Sequence, residues 1–419
     1  MPIKSTTLKN GIRVLTDERK DARAVGFCVA CHYGAAHEKA SEKGITHLME
    51  HMLFLGTKTK NNQEIEAELA KLGAVKDGLT GSYCNYYPVR VLKEDVEDAL
   101  DIWAEMLQES IFPPDKFKTE KQVVLREIDM VLDRPERRFG ELWLKTAYPK
   151  VNMYYSASGS KEIVKSLNLK QVRHHWKEIF ANNLIVIAAQ GGISHQKFVK
   201  LCEQRFTKWK AKKIAHLPKA IYKGGLRREI CTQNQEWLFV GFESAKCFSK
   251  DAFAAELIIW ILAKGFSARL HRSVRGRGLA YVCGPLSRVD EVIQISGVKL
   301  QIHPDNTYQV LEIVSKECSR FASNVTATEL KCAQKQIISR LLLSEDNIST
   351  NSVNLACFPP KYSRFLPIES RIKAYESVTL KDVKRVAKKM FSGAPTVVIM
   401  GPKCKTPTYK TICKWLKGE

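Results

Sequence analysis

The segment Ser166-Leu167-Asn168-Leu169-Lys170-Gln171-Val172 runs on through Phe180 to Val186. Its pattern returns 211 residues later as Ser377-Val378-Thr379-Leu380-Lys381-Asp382-Val383, through Phe391 to Val397. At that fixed offset Ser166/Ser377, Leu169/Leu380, Lys170/Lys381, Val172/Val383, Lys177/Lys388, Phe180/Phe391 and Val186/Val397 are identical. Each copy reads as a capped amphipathic helix followed by a buried strand, Leu184 to Ala189 in the first and Thr396 to Met400 in the second. Residue type and order agree across both elements, so the chain is read as an internal duplication.

Half of the 419 residues is then one unit. The boundary is expected in the run 207–228, which holds Lys208, Lys210, Lys212, Lys213, Lys219, Lys223, Arg227 and Arg228 with Pro218, Gly224, Gly225 and no acid. Such a run reads as a solvated connector. The expected organisation is a first domain at 1–206, a basic linker at 207–228, a second domain at 229–402 and a lysine-rich tail at 403–419. Strand-like runs at 24–33, 79–92, 236–242, 279–286 and 291–302 lie among helical runs at 45–55, 61–72, 94–109, 115–132, 252–264, 305–323, 328–344 and 380–391. That order predicts an α+β fold: two homologous domains, each a mixed, mainly antiparallel sheet with helices packed on one face.

Composition narrows the class. Apolar residues make up 44% and charged residues 26%, which excludes disordered and fibrous chains. No apolar run approaches the ~18 residues of a membrane span. Twelve dispersed cysteines argue for free thiols in a reducing compartment rather than a disulfide scaffold. Cys28 and Cys31 alternate on one strand, so they are expected to face opposite sides as packing residues. The opening Leu8–Leu15 reads as a turn feeding a strand, with no targeting stretch, so a cytoplasmic protein is expected; a mitochondrial-type organelle matrix is the alternative. The net charge of +23 permits an anionic partner, yet no recognition helix or interleaved aromatic pattern accompanies it, which disfavours nucleic acid.

The strongest local signal is Gly44-Ile45-Thr46-His47-Leu48-Met49-Glu50-His51-Met52-Leu53-Phe54. Four residues apart on a helix, His47 and His51 share one face and can hold one Zn²⁺. Glu50 points into the same cavity and is free to act as a general base. A third ligand is sought in Glu120-Lys121-Gln122-Val123-Val124-Leu125-Arg126-Glu127-Ile128. Glu120 and Glu127 stand two turns apart on one helix face, where one carboxylate can bind metal while the other holds an imidazole N–H or a water.

These residues resemble the pitrilysin-type, or inverted-zincin, metallopeptidases. The chain is most similar to the two-domain members: bacterial processing peptidases and the β subunit of mitochondrial processing peptidase. That family carries His-x-x-Glu-His and, about 75 residues later, a glutamate in a Val-(Val/Ile)-Leu-x-Glu context; here 75 residues separate His51 from Glu127. The resemblance implies one Zn²⁺ per chain on His47, His51 and Glu127, with Glu120 supporting the ligands. Glu50 would then activate a zinc-bound water for hydrolysis of a peptide or presequence. Phe266–Leu270 and Val274–Tyr281 resemble the family's arginine–tyrosine segment, which holds substrate and the oxyanion. Arg275 and Tyr281 are the implied pair; their spacing is one residue short, so Arg277 is a fallback.

The family's Asn-Ala-x-Thr edge strand stands here as Asp77-Gly78-Leu79-Thr80. Asp77 and Thr80 are therefore the implied substrate-binding residues, and the peptide is expected to pair with an edge strand near 79–87. Family members enclose a chamber between four such domains, and one chain supplies two. A homodimer, or a heterodimer with a related chain, is therefore expected. Residues 94–141 hold 14 acids and 7 bases, so an acidic patch beside the metal helix is compatible with the basic whole. The competing expectation is a catalytically inactive structural subunit of a processing-peptidase-like complex.

Overall fold

The computed structural model describes residues 3–150, 157–210, 216–217, 219–345, 347–358 and 367–419. Two compact units emerge. The first gathers Met1–Asp133, Tyr155–Pro218 and Ser344–Pro367; the second gathers Arg134–Tyr154, Lys219–Leu343 and Ile368–Glu419.

Among the described residues the first unit is built on seven strands: β1 (Lys4–Thr7), β2 (Arg13–Glu18), β3 (Ala24–Cys31), β4 (Val75–Lys76), β5 (Leu79–Thr80), β6 (Asn85–Leu92) and β7 (Ile185–Gly191). Their order is β1-β2-β7-β3-β6-β4, and β5 also pairs with β6. The second unit holds β8 (Gly225–Ile230), β9 (Glu236–Glu243), β10 (Ala280–Val289), β11 (Gln294–Ile302) and β12 (Thr396–Gly401), in the order β10-β11-β9-β12-β8. Each sheet contains one parallel pair, β2 with β7 and β8 with β12, among antiparallel neighbours. Val186 lies between Arg13 and Ala30, and Val397 lies between Leu226 and Val240. The duplicated segment therefore occupies the same place in both sheets, and the α+β reading of two homologous domains holds.

Side-chain alternation decides the faces. In the first unit Phe27, Val29, Cys31, Ile185 and Ile187 point into a core shared with Leu48, Trp103 and Phe180 on the helical side. Cys28, Ala30, Val186 and Ala188 point the other way, so Cys28 and Cys31 do face opposite sides. Both faces of these central strands are apolar, which requires a second cover. Leu355 and Ala356 of the helix Ile348–Ala356 provide it. In the second unit the helix Pro135–Ala147 does the same, with Trp143 against Phe239 and Phe139 against Trp237 at ring separations of 5.0 and 5.7 Å.

Each covering helix comes from the opposite half of the sequence, so the units depart from the contiguous stretches 1–206 and 229–402. The basic run 207–228 also contributes structure: its last residues form the start of β8, while 211–215 and 218 lie outside the described residues. Within 403–419, residues Tyr409–Lys417 form a helix that buries Ile412 and Leu416. Lysines occupy its remaining turns, so the tail belongs to the second unit as an amphipathic element. Among the described residues no helix is long and apolar enough to cross a membrane.

Candidate metal centre

The helix Ile45–Leu53 follows β3 and buries Ile45, Leu48, Met49, Met52 and Leu53. Its apolar stripe fixes the rotation about the helix axis, which leaves His47 and His51 together on the remaining side. Their rings lie 4.7 Å apart at 76°. Glu38 holds the N-terminus of this helix: its buried carboxylate accepts from the backbone N–H of Gly44 at 3.0 Å and of Thr46 at 2.9 Å. Burial pushes the Glu38 carboxyl up from its ordinary range, while these two N–H groups oppose that shift. Gly44 sits at φ +96°, and a Cβ there would stand 2.5 Å from the Ser158 carbonyl oxygen, so only glycine fits.

The helix Pro114–Leu132 brings the carboxylates. Val124, Leu125 and Ile128 are buried, so Glu120 and Glu127 are presented from the same helix toward the histidines. Glu127 Oε2 lies 3.7 Å from His47 Nε2 and 3.5 Å from His51 Nε2. Ligand atoms of His47, His51 and Glu127 all fall within 4.8 Å of one another, and all three residues are partly exposed. Glu120 Oε2 lies 3.2 Å from His51 Nδ1. A carboxylate oxygen accepts, so His51 donates from Nδ1, and Nε2 is the ring nitrogen that faces Glu127. Two imidazole nitrogens and one carboxylate form a donor set suited to zinc, and a site of three protein ligands leaves a coordination position open.

Glu50 comes from the same helix and is 7% exposed. Burial raises its carboxyl to about 6, and the nearby Asp77 and Glu127 charges push in the same direction. Thr80 Oγ1, on β5, donates to Glu50 Oε2 at 2.7 Å and works against that rise. Gly78 closes over the other side: a Cβ there would stand 2.9 Å from Phe54 and 3.1 Å from Glu50 Oε1. The edge segment 77–80 thus positions Glu50 directly. The sequence reading missed this role for Thr80 and Gly78, because nothing in their spacing links them to a helix thirty residues earlier. Asp77 is exposed and accepts from its neighbour's N–H, Gly78 N to Asp77 Oδ1 at 2.9 Å.

His47, His51, Glu50, Glu120, Glu127, Asp77 and Thr80 therefore gather in the first unit. Arg275, Arg277 and Tyr281 lie in the second. Arg275 and Arg277 share the single turn Arg275–Arg277, where Arg275 Nη1 stands 3.4 Å from His271 Nε2. Tyr281 is 59% exposed at the start of β10. The β10–β11 register shifts between Ala280 and Val282, which leaves Tyr281 as the extra residue of a bulge. Bulges redirect side chains, and they recur beside functional sites.

Known proteins resemble this chain along nearly all of its length. Residues 13–159 match the family described as insulinase (peptidase family M16), and residues 166–337 match the family described as peptidase M16 inactive domain. An uncharacterized zinc protease of Rickettsia felis is 26% identical over 401 residues, covering 94% of this chain and 96% of that protein. Another from Bacillus subtilis is 26% identical over 97% of this chain and all of its own length. The β subunit of mitochondrial processing peptidase from Bos taurus is 25% identical over 98% of this chain and 87% of its own. A solved peptidase M16 inactive domain from Pseudomonas fluorescens shares the fold at a TM-score of 0.86, with 19% identity over 97% of this chain and all of that one. A protease from Helicobacter pylori does so at 0.84, with 19% identity over 96% of this chain and 99% of that one. Duplicated sheets, a His-x-x-Glu-His helix and a distant glutamate thus coincide with full-length similarity, and the chain belongs to peptidase family M16.

Proposed function

We propose that this chain is a zinc-dependent metalloendopeptidase that hydrolyses peptides or presequences. The observation that supports it most is the convergence of His47, His51 and Glu127 ligand atoms within 4.8 Å, beside a carboxylate that none of them needs. His47, His51 and Glu127 hold the cation, and Glu120 keeps His51 in the ligating tautomer. When bound, zinc supplies Lewis-acid polarisation and an acidified water. Glu50 accepts the proton released as water attacks the scissile carbonyl, and then delivers it to the leaving amine. Its burial, which raises the carboxyl from its ordinary range, suits that exchange. Thr80 and Gly78 keep Glu50 in one rotamer. Leu79–Thr80 offers an edge to which an extended peptide adds by main-chain hydrogen bonds, with Asp77 and Thr80 flanking it.

Tyr281 is assigned to the developing oxyanion and Arg275 to the substrate carbonyl. The working species is a dimer, either of two identical chains or with a related chain. Light scattering at working concentration checks that assignment; a monomer that still cleaves peptides contradicts it. The activity itself is tested with a fluorogenic peptide library. Hydrolysis is expected to stop with a strong chelator and to return with zinc. Hydrolysis that persists in the metal-free chain overturns the proposal. A zinc-loaded chain that cleaves nothing in the library, alone or paired, favours the inactive structural subunit.

A further inference from the structure

The outer face of the first unit's sheet carries a cluster that peptide hydrolysis does not use. Cys28 lies on β3, Cys84 closes the loop before β6, and Cys357 caps the C-terminus of the helix Ile348–Ala356. Cys84 Sγ stands 3.4 Å from Cys357 Sγ, although 273 residues separate them in sequence. Cys28 and Cys84 are buried, whereas Cys357 is partly exposed. The buried His32 reaches the neighbouring Ala356 carbonyl with Nε2 at 3.0 Å.

The three thiols are not equivalent. Cys84 Sγ lies 3.4 Å from both the Cys357 sulfur and the Asn85 carbonyl oxygen, and the thiol neighbours of Cys357 lower its thiol below the ordinary value. Burial raises Cys28 and Cys84. Cys357 is the partly exposed member, so it is the thiol placed to meet a reagent from solvent, and a second thiol already touches it.

We propose that Cys84 and Cys357 form a reversible disulfide site that reacts with peroxides. The Cys357 thiolate attacks the peroxide O–O bond, becomes a sulfenic acid and releases hydroxide. Cys84 then attacks the Cys357 sulfur, the S–S bond forms, and the sulfenic oxygen leaves as water. Two thiols and one hydrogen peroxide give one disulfide and two waters. The bond joins the helix Ile348–Ala356 to the loop 81–84. That loop is already held by Gly81 N–H to Cys84 O at 2.9 Å and Ala35 N–H to Gly81 O at 3.0 Å, and it directly follows β5.

The test uses the full chain treated with hydrogen peroxide, unfolded with a thiol-blocking reagent present and digested with trypsin without reductant. A linked pair of the peptides 77–90 and 341–361 is expected, about 2 Da lighter than the sum of the two thiol peptides, and dithiothreitol should separate it. C84S and C357S should each abolish that pair, whereas C332S at an exposed lone thiol should leave it. Circular dichroism before oxidation verifies that each variant is folded, and the wild-type map stands without them. Absence of the linked pair, with Cys357 unmodified or carried on to sulfinic acid, overturns the proposal. This readout is independent of whether the chain hydrolyses peptides.

Discussion

The two units share a sheet topology but differ in the helix that follows the strand beside the duplicated one. After β3 comes Ile45–Leu53, packed against Leu169–Asn182; after β9 comes Lys250–Ala263, packed against Leu380–Phe391. The first helix spends one side on two histidines and keeps a buried glutamate. The second is apolar nearly all round, burying Ala254, Ala255 and every residue from Leu257 to Ala263. One scaffold position thus carries a candidate metal site in one copy and core in the other. Packing around the helix sets where it lies, and a few side chains decide what it does.

Substitutions on the two helices should separate these roles. H51A removes an imidazole that touches both Glu120 and Glu127, so bound zinc should fall from one per chain to near zero and hydrolysis to background. L257A in the counterpart helix deletes a fully buried side chain and should cost about 2–5 kcal/mol of stability while leaving zinc content unchanged. Denaturant titration and metal analysis of both variants check the pair. Loss of zinc in L257A at temperatures where it remains folded would break the comparison.

E120Q should act more gently. The amide still reaches His51 but no longer fixes the proton on Nδ1 as strongly, and zinc affinity should fall by about 10–100-fold. Competition with a chelator of known affinity measures it.

The smallest effect concerns a pair confined to the second unit. Arg269 donates to both Glu329 carboxylate oxygens at 2.7 Å, which lowers the Glu329 carboxyl to about 2. Because the folded value lies below the unfolded one, this stabilisation is complete above the ordinary glutamate range near 4.5 and is lost as pH falls toward 2. E329Q should cost about 1–3 kcal/mol near neutrality, and its deficit relative to the parent chain should shrink across that acid window. Urea titrations at several pH values check both signs.

Much of this was legible in the sequence because it rests on local period. The repeat at 166–186 and 377–397 places β7 and β12, and the His-x-x-Glu-His spacing places both imidazoles on one face. The run 79–92 reads as one strand by sequence, yet it breaks at 81–84, where Gly81 and Cys84 close a turn. Helices Ile348–Ala356 and Pro135–Ala147 went unread as cross-covering elements. Their short amphipathic patterns do not reveal which sheet they meet. The grip of Thr80 and Gly78 on Glu50 was equally hidden, since it depends on strand β5 folding over a distant helix. The Cys84–Cys357 contact arises in the same way, from a covering helix that returns across most of the chain.

The proposed function divides labour within one helix: His47 and His51 would hold metal, and Glu50 would handle the proton. The most direct measurement is zinc content together with peptide turnover in E50Q. The expected result is one zinc per chain, as in the parent protein, with kcat lowered by about 10²–10⁴-fold. Parent-like turnover in zinc-loaded E50Q would contradict it.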